Sequence, residues 1–257
     1  MPSEVRHLVD GGQTYPVVRL TGVLDASTAP EVRSALLVVL AGQPEAVVVD
    51  VRELTPREPG EAAVLAEIAR GAADWPGCRL ALSVGDDGRA WQDVGLPSWP
   101  SPAEAITALG EPSPDHYRRV ELEPVVGAAR HSRELVAEAC ERWRLPELAG
   151  PACIVVTEMV NNVVAHVGTP MTVLLGLHGG TMSVAVRDQS PNAPHFTGSP
   201  VPVTSYGGRG LLLIDSVSRR WGSLVLADGK VVWAMLDSDP EVPGQLSGTG
   251  MTGQIRG

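Results

Sequence analysis

The sequence predicts an α/β protein in two parts, and three observations carry that reading. Short β-branched runs alternate with helical apolar spacing over residues 13–110, the pattern of helices packed on a central sheet. In the second half, two hairpin signals enclose a long polar loop that ends in a glycine-rich turn. Between the halves, Gly110-Glu111-Pro112-Ser113-Pro114-Asp115 has the proline, glycine and acidic content of a linker. The expected division is an extension over 1–12, a domain over 13–110, a linker over 111–117, a second domain over 118–237 and a flexible tail over 238–257.

With 257 residues, 44% of them hydrophobic, the chain can bury two ordinary cores. Aromatics are only 4%, so valine, leucine and alanine must do most of the filling. A net charge of −10 supplies no basic face for a phosphate backbone, which argues against direct nucleic-acid binding. Lys230 is the single lysine, so no mechanism can call on a second one. Cys78, Cys140 and Cys153 are odd in number, far apart and without metal-ligand spacing, as expected of buried thiols in a reduced cytoplasm. Residues 1–12 lack the layout of a secretory signal, and no segment is expected to reach the length of a membrane span. The expectation is a cytoplasmic protein with no membrane partner.

In the first half, Tyr15 to Gly22 reads as a strand, and Asp25-Ala26-Ser27-Thr28 offers turn and cap residues for a helix over Ala29 to Leu40. Ala46 to Val51 is a continuous β-branched run, expected as a strand covered on both faces. Helical spacing returns over Gly60 to Ala73, Arg79 to Val84 is a strand, and 90–94 and 102–109 are short helical pieces. Val18-Arg19-Leu20-Thr21-Gly22-Val23-Leu24-Asp25 with Ser27-Thr28-Ala29 resembles the start of a STAS domain, the fold of bacterial anti-sigma factor antagonists. In those antagonists the loop after the second core strand carries a phosphorylated serine. Alignment of that loop with Leu54 to Glu61 puts Glu58 at its aspartate and Pro59 at the acceptor serine. Proline has no hydroxyl to accept a phosphoryl group, and Thr55 sits before the loop. Glu58 and Glu61 either imitate the charge of a phosphorylated loop or mark a degenerate turn. On both readings the domain becomes a constitutive docking or dimerisation module.

In the second half, Tyr117 to Leu122 alternates like an edge strand, and Val125 to Trp143 has helical spacing with Arg130, Arg133 and Arg142 facing solvent. Over Ile154 to His166, Glu158, Asn162 and His166 recur one helical turn apart, opposite a stripe of valines and Met159. A carboxylate can orient or deprotonate a nucleophile and an amide oxygen can ligate Mg²⁺, although the same spacing also suits a solvated face. Met171 to Leu177 and Met182 to Arg187 form a hairpin around His178-Gly179-Gly180-Thr181. The second strand ends at Asp188, which is placed either to accept a hydrogen bond from an adenine amino group or simply to turn the chain. The loop over 189–206 has the length of a lid. It leads into Gly207-Gly208-Arg209-Gly210-Leu211, a turn suited to a phosphate at a helix N-terminus or to close packing. Trp221 to Leu226 and Lys230 to Leu236 close the domain as a hairpin around Asp228-Gly229.

Together, Glu158 to His166, Val186-Arg187-Asp188-Gln189-Ser190-Pro191 and Gly207 to Leu213 with Trp221-Gly222 resemble the boxes of the GHKL ATP-binding fold of bacterial anti-sigma factor serine kinases. The resemblance implies an α/β sandwich with helices packed on a mixed, mostly antiparallel sheet, and ATP and Mg²⁺ as cofactors. It implies Glu158 as general base, Asn162 as Mg²⁺ ligand, Asp188 holding adenine, and Gly207, Gly208, Arg209, Gly210 and Leu211 around the phosphates. The function it implies is a protein-serine kinase of the partner-switching type, acting on a separate STAS antagonist and binding a sigma factor, with homodimerisation open. The alternative is a catalytically weak or inactive ATP-binding scaffold with a degenerate docking domain. A histidine kinase fragment is disfavoured because no helical hairpin with a phosphoacceptor histidine precedes the ATP-binding boxes; His131 is read as packing or facing solvent.

Overall fold

The computed structural model describes residues 4–74, 78–190, 209–226 and 228–238. The chain divides into two compact units, the first ending at Ser113 and the second beginning at Pro114.

The first unit is a five-stranded sheet in the order β1-β2-β3-β4-β5, with β1 Val5–Asp10, β2 Val17–Leu24, β3 Ala46–Pro56, β4 Arg79–Ser83 and β5 Ser98–Trp99. Only β1 runs antiparallel to its neighbour; the others pair in parallel. Helices α1 (Ala29–Leu40) and α2 (Ala63–Asp74) bury Val32, Leu36, Leu40, Val64, Leu65 and Ile68 against Val18, Leu20, Val47, Val49, Val51 and Leu82. Helix α3 (Pro102–Leu109) covers Val17, Val48 and Ala81 on the opposite face. A reciprocal cap starts α3: the Ser101 hydroxyl accepts from Glu104 N–H at 3.3 Å and donates to its carboxylate at 2.7 Å.

Residues 5–10, expected as part of an extension, form β1. Its only buried residue is Val5, so it carries no alternation of buried and exposed side chains for periodicity to detect. Gly22 sits opposite it at φ +114°, where a Cβ would overlap the Glu4 carbonyl. Strand β3 runs five residues past the expected end, because Glu53, Leu54, Thr55 and Pro56 continue the ladder beside β2.

The second unit is a five-stranded sheet in the order β6-β7-β8-β10-β9, made of β6 Tyr117–Leu122, β7 Met171–His178, β8 Thr181–Asp188, β9 Arg220–Leu226 and β10 Gly229–Asp237. Every pairing among the described residues is antiparallel, where the resemblance implied a mixed, mostly antiparallel sheet. Gly179 and Gly180 turn the β7–β8 hairpin at φ +57° and +90°, the two positive angles that such a tight turn demands. Helices α4 (Ala128–Trp143), α5 (Ala149–Asn162) and α6 (Arg209–Val217) share one core with Val173, Leu175, Val184, Val186 and Ala234 of the sheet. The segment expected as a linker is anchored at Ser113, whose N–H donates to Glu45 at 2.9 Å, and at Asp115, which accepts from Trp143 Nε1 and pairs with Arg142 at 3.1 Å.

Helix α5 forms the centre of this unit. Ala152, Val155, Val156, Met159 and Val160 are buried, each large side chain contributing about 1.5–3 kcal/mol of burial. Contrary to expectation, the continuous helical run Pro146–Val167 is, by length and composition, long and apolar enough to cross a membrane. Its apolar stripe lies in the core of this unit.

Candidate functional site

In the first unit, β3 delivers residues 55–60 to the C-terminal edge of the parallel strands, the edge where open α/β sheets present ligand-binding loops. The loop is tied to the turn after β2: Arg57 N–H donates to the Leu24 carbonyl at 2.9 Å and its guanidinium pairs with Asp25 at 3.1 Å. Asp25 also accepts from Ser27 N–H at 2.9 Å and from the Ser27 hydroxyl at 2.6 Å. Glu58 is extended and exposed, and Pro59 opens the 3-10 turn Pro59–Ala62, closed by Glu61 N–H on the Glu58 carbonyl at 3.1 Å. Thr55 lies within β3, opposite Val23.

Sequence reasoning missed Asp50. It sits in the β-branched run of β3 and is buried between Arg52, at 2.8 and 2.9 Å, and Arg19, at 3.3 Å. Burial raises its pKa, but hydrogen bonds and charge from Arg52, with Arg19, outweigh that and hold the carboxyl below the usual carboxylate range. An aspartate inside a strand covered on both faces is the signal that could have found it. The Ser83 hydroxyl beside it is buried and has no hydrogen-bond partner.

In the second unit, Glu158 on α5 is half-buried and lies against the first turn of α6. A Cβ on Gly210 would sit 2.6 Å from Glu158 Oε2, so glycine is what lets the helix and the carboxylate meet. The elements predicted to carry base and phosphate cradle are therefore brought together. A groove of about 420 Å³ opens beside Glu158, lined also by Arg133, Cys153, Ile154, Thr157 and Leu213. None of Asn162, Asp188 or Gly210 lines it.

Asn162 is the last residue of α5. Beyond it, Val163–Val167 widens to a π turn closed by Gly168 N–H on the Val163 carbonyl at 2.8 Å. The extra residue breaks the expected face: Val167, rather than His166, takes the place a turn above Asn162, and it packs on the core while His166 is exposed. Among the described residues no group of three or more His, Cys, Asp or Glu side chains could hold a metal ion.

Asp188 ends β8 directly opposite Lys230 of β10. The Lys230 ammonium lies 3.0 Å from Oδ1 and 2.9 Å from Oδ2, and Ser190 N–H donates to Oδ1 at 2.8 Å. The two side chains are only 7% and 1% exposed, so this is a buried ion pair in which the ammonium spans both carboxylate oxygens. Sequence reasoning placed Lys230 in the closing hairpin and assigned it no partner. Arg209 and Gly210 begin α6 and Leu211 is buried in its core; Gly207, Gly208, residues 191–206 of the loop and 239–257 of the tail lie outside the described residues.

Cys78 and Cys140 are buried as expected, and burial pushes their thiols up to about 12 and about 11. Cys153 differs in being only half-buried.

A parallel sheet with helices on both faces and an antiparallel first strand defines the first unit as a STAS-type α/β domain. The family model described as "Mlab, STAS domain" matches residues 7–83, which supports a STAS domain in the N-terminal part of the chain. An uncharacterised protein of Streptomyces coelicolor, SCO4941, is 39% identical over 79 residues, which is 30% of this chain and 75% of that protein. Among solved structures, the RsbU and RsbW domains of Rv1364c from Mycobacterium tuberculosis match 49% of this chain at 17% identity and a TM-score of 0.36; the chain spans 33% of that protein. An anti-sigma factor antagonist from Mycobacterium paratuberculosis matches 41% of this chain and 93% of its own at 24% identity, with a TM-score of 0.35. Unphosphorylated SpoIIAA, an anti-sigma factor antagonist, matches 40% and 96% at 13% identity and a TM-score of 0.31.

Proposed function

We propose that the chain is a partner-switching regulator whose STAS unit docks a partner protein without itself being switched by phosphorylation. The observation that carries this reading is Pro59 at the first turn after β3, where the aligned antagonists present their acceptor hydroxyl. The nearby hydroxyls do not replace it: Thr55 is held in the strand, and Ser27 donates to Asp25. Glu58 and Glu61 supply permanent negative charge on the same turn, of the sign a phosphoserine would bring. The partner this surface suits is an anti-sigma factor of the kind that STAS antagonists bind.

For the second unit, the resemblance to GHKL modules and the contact of Glu158 with Gly210 support a nucleotide-binding ancestry. At the adenine end, Asp188 is already paired with Lys230 within the fold. The adenine amino group would have to share a buried carboxylate with the Lys230 ammonium and the Ser190 N–H, so Asp188 is not held open for it. The reading preferred is therefore the non-catalytic one: a regulatory module whose Asp188 is satisfied from within by Lys230. The kinase reading, with ATP, with Mg²⁺ on Asn162 and with Glu158 acting on a separate antagonist, rests on the resemblance and requires Asp188 to take adenine while paired with Lys230.

Phosphotransfer tests both halves. With radiolabelled ATP, Mg²⁺, an active anti-sigma kinase and a serine-bearing STAS antagonist, label is expected on the antagonist and none on this chain, whereas Pro59→Ser gains it. Label on wild-type Thr55 or Ser27 overturns the docking claim. Without the added kinase no label is expected anywhere; antagonist labelling that Glu158→Ala abolishes establishes the kinase reading instead.

A further inference from the structure

We infer that β1 is a self-pairing edge that joins two copies of this chain, strand to strand, across a two-fold axis at Leu8. Strand β1 ends its sheet and, among the described residues, pairs with β2 alone. The opposite edge of that sheet is blunted, since β5 has two residues and lies between Pro97 and Pro100. Strand β1 is six residues long, with no proline and no lysine, and Leu8 and Val9 are 61% and 43% exposed on its two faces. An unprotected edge of this kind is a template for another strand.

The hydrogen-bond phase of β1 selects the register. The Val23 N–H donates to the Glu4 carbonyl at 3.2 Å, so in the alternating antiparallel pattern Glu4, Arg6, Leu8 and Asp10 turn their backbone groups toward β2. Val5, His7 and Val9 then turn theirs to the open edge. A second β1 adding there in antiparallel fashion must pair residues of the same phase. The register centred on Leu8 puts Leu8 against Leu8 of the second copy in a close, non-hydrogen-bonded pair, and lets His7 and Val9 exchange backbone hydrogen bonds.

The same register sets Arg6 of each copy opposite Asp10 of the other, twice by symmetry, on the face that carries Leu8. Shifting it by two residues either way places Leu8 opposite Arg6 or Asp10 and loses both charge pairs. Arg6 is 77% exposed and uses its Nε on Glu4, which leaves its two terminal amino groups for a partner carboxylate. Asp10 accepts from Gly12 N–H at 2.9 Å and from Gln13 at 3.4 Å, which leaves lone pairs for the incoming guanidinium. Apolar contact at the axis with complementary charge on both sides is the chemistry of a strand that recognises itself.

The test is sedimentation of the full chain across micromolar concentrations. Wild type is expected to show a monomer–dimer equilibrium. Arg6→Asp or Asp10→Arg alone, each juxtaposing like charges twice, is expected to weaken the dimer about tenfold, and the double exchange to restore it. Both residues are exposed, so the fold is not at stake. As a register check, Leu8→Cys is expected to yield a disulfide-linked dimer under mild oxidation and Val9→Cys not to do so. A chain that stays monomeric, a dimer insensitive to the single reversals, a double exchange that fails to restore it, or equal cross-linking at both positions overturns the inference.

Discussion

Replacing Lys230 by alanine removes the side chain that, among the described residues, neutralises Asp188, and the structure allows the cost to be worked out. Solvent cannot screen the orphaned carboxylate, because its side chain is 1% exposed. Breaking a buried pair from one side costs about 3–5 kcal/mol, and the surviving Ser190 N–H to Oδ1 places this case near the lower end, about 3 kcal/mol. Lys230→Met combined with Asp188→Leu removes both charges and is expected to cost less than Lys230→Ala alone, since two apolar groups leave nothing unpaired. Urea unfolding gives the free energy. Hydrogen exchange over β8 and β10 locates the loss, because Lys230 and Asp188 face each other across these two strands. A Lys230→Ala variant that loses less than about 1 kcal/mol, with unchanged exchange in both strands, would refute the buried pair and the self-satisfied site built on it.

Three further outcomes follow from the same geometry. Asp50 has a folded pKa below its unfolded value of about 4, so its contribution is present above that value and is lost as pH falls through the folded one. Asp50→Asn should therefore flatten the acid limb of the first unit's stability–pH curve, and an unchanged limb measured by denaturant titration counts against the Arg19–Asp50–Arg52 cluster. Gly222 faces Trp233, where a Cβ would lie 2.7 Å from the ring; Gly222→Val is expected to cost about 1–3 kcal/mol in thermal denaturation, and a neutral result means the ring does not lie there. Iodoacetamide at mildly alkaline pH should label Cys153 first, because Cys78 and Cys140 are buried with thiols pushed up to about 12 and about 11; mass spectrometry showing equal labelling contradicts their burial.

What the sequence revealed depended on whether the deciding contacts were local. The α1 helix was legible because Asp25 to Thr28 fold the turn that enters it, although Thr28 makes no side-chain bond to the helix itself: the Thr28 hydroxyl accepts from Asp25 N–H and donates to the Val23 carbonyl, both at 2.9 Å. The β7–β8 turn was legible because only glycine takes two successive positive φ angles without strain. Strand β1 was not legible, since five of its six residues are exposed and a strand wet on both faces has no period. The π turn after Asn162 leaves no mark on an otherwise ordinary run of valines, so His166 was placed on a face it does not share. Of the candidate site, the approach of Glu158 to Gly210 follows from two motifs read separately, but the sealing of Asp188 does not. Its partner Lys230 lies 42 residues away and is brought opposite only by the β8–β10 pairing.

The measurement that bears most directly on the preferred reading is calorimetric titration of the purified full chain with ADP and with ATP and Mg²⁺. The expected result is no heat of binding for either nucleotide, because the Asp188 carboxylate is paired with Lys230 within the fold rather than held open for adenine. Stoichiometric nucleotide uptake by wild type, undiminished by Lys230→Arg but lost in Asp188→Asn, contradicts it and returns the second unit to the ATP-dependent kinases it resembles.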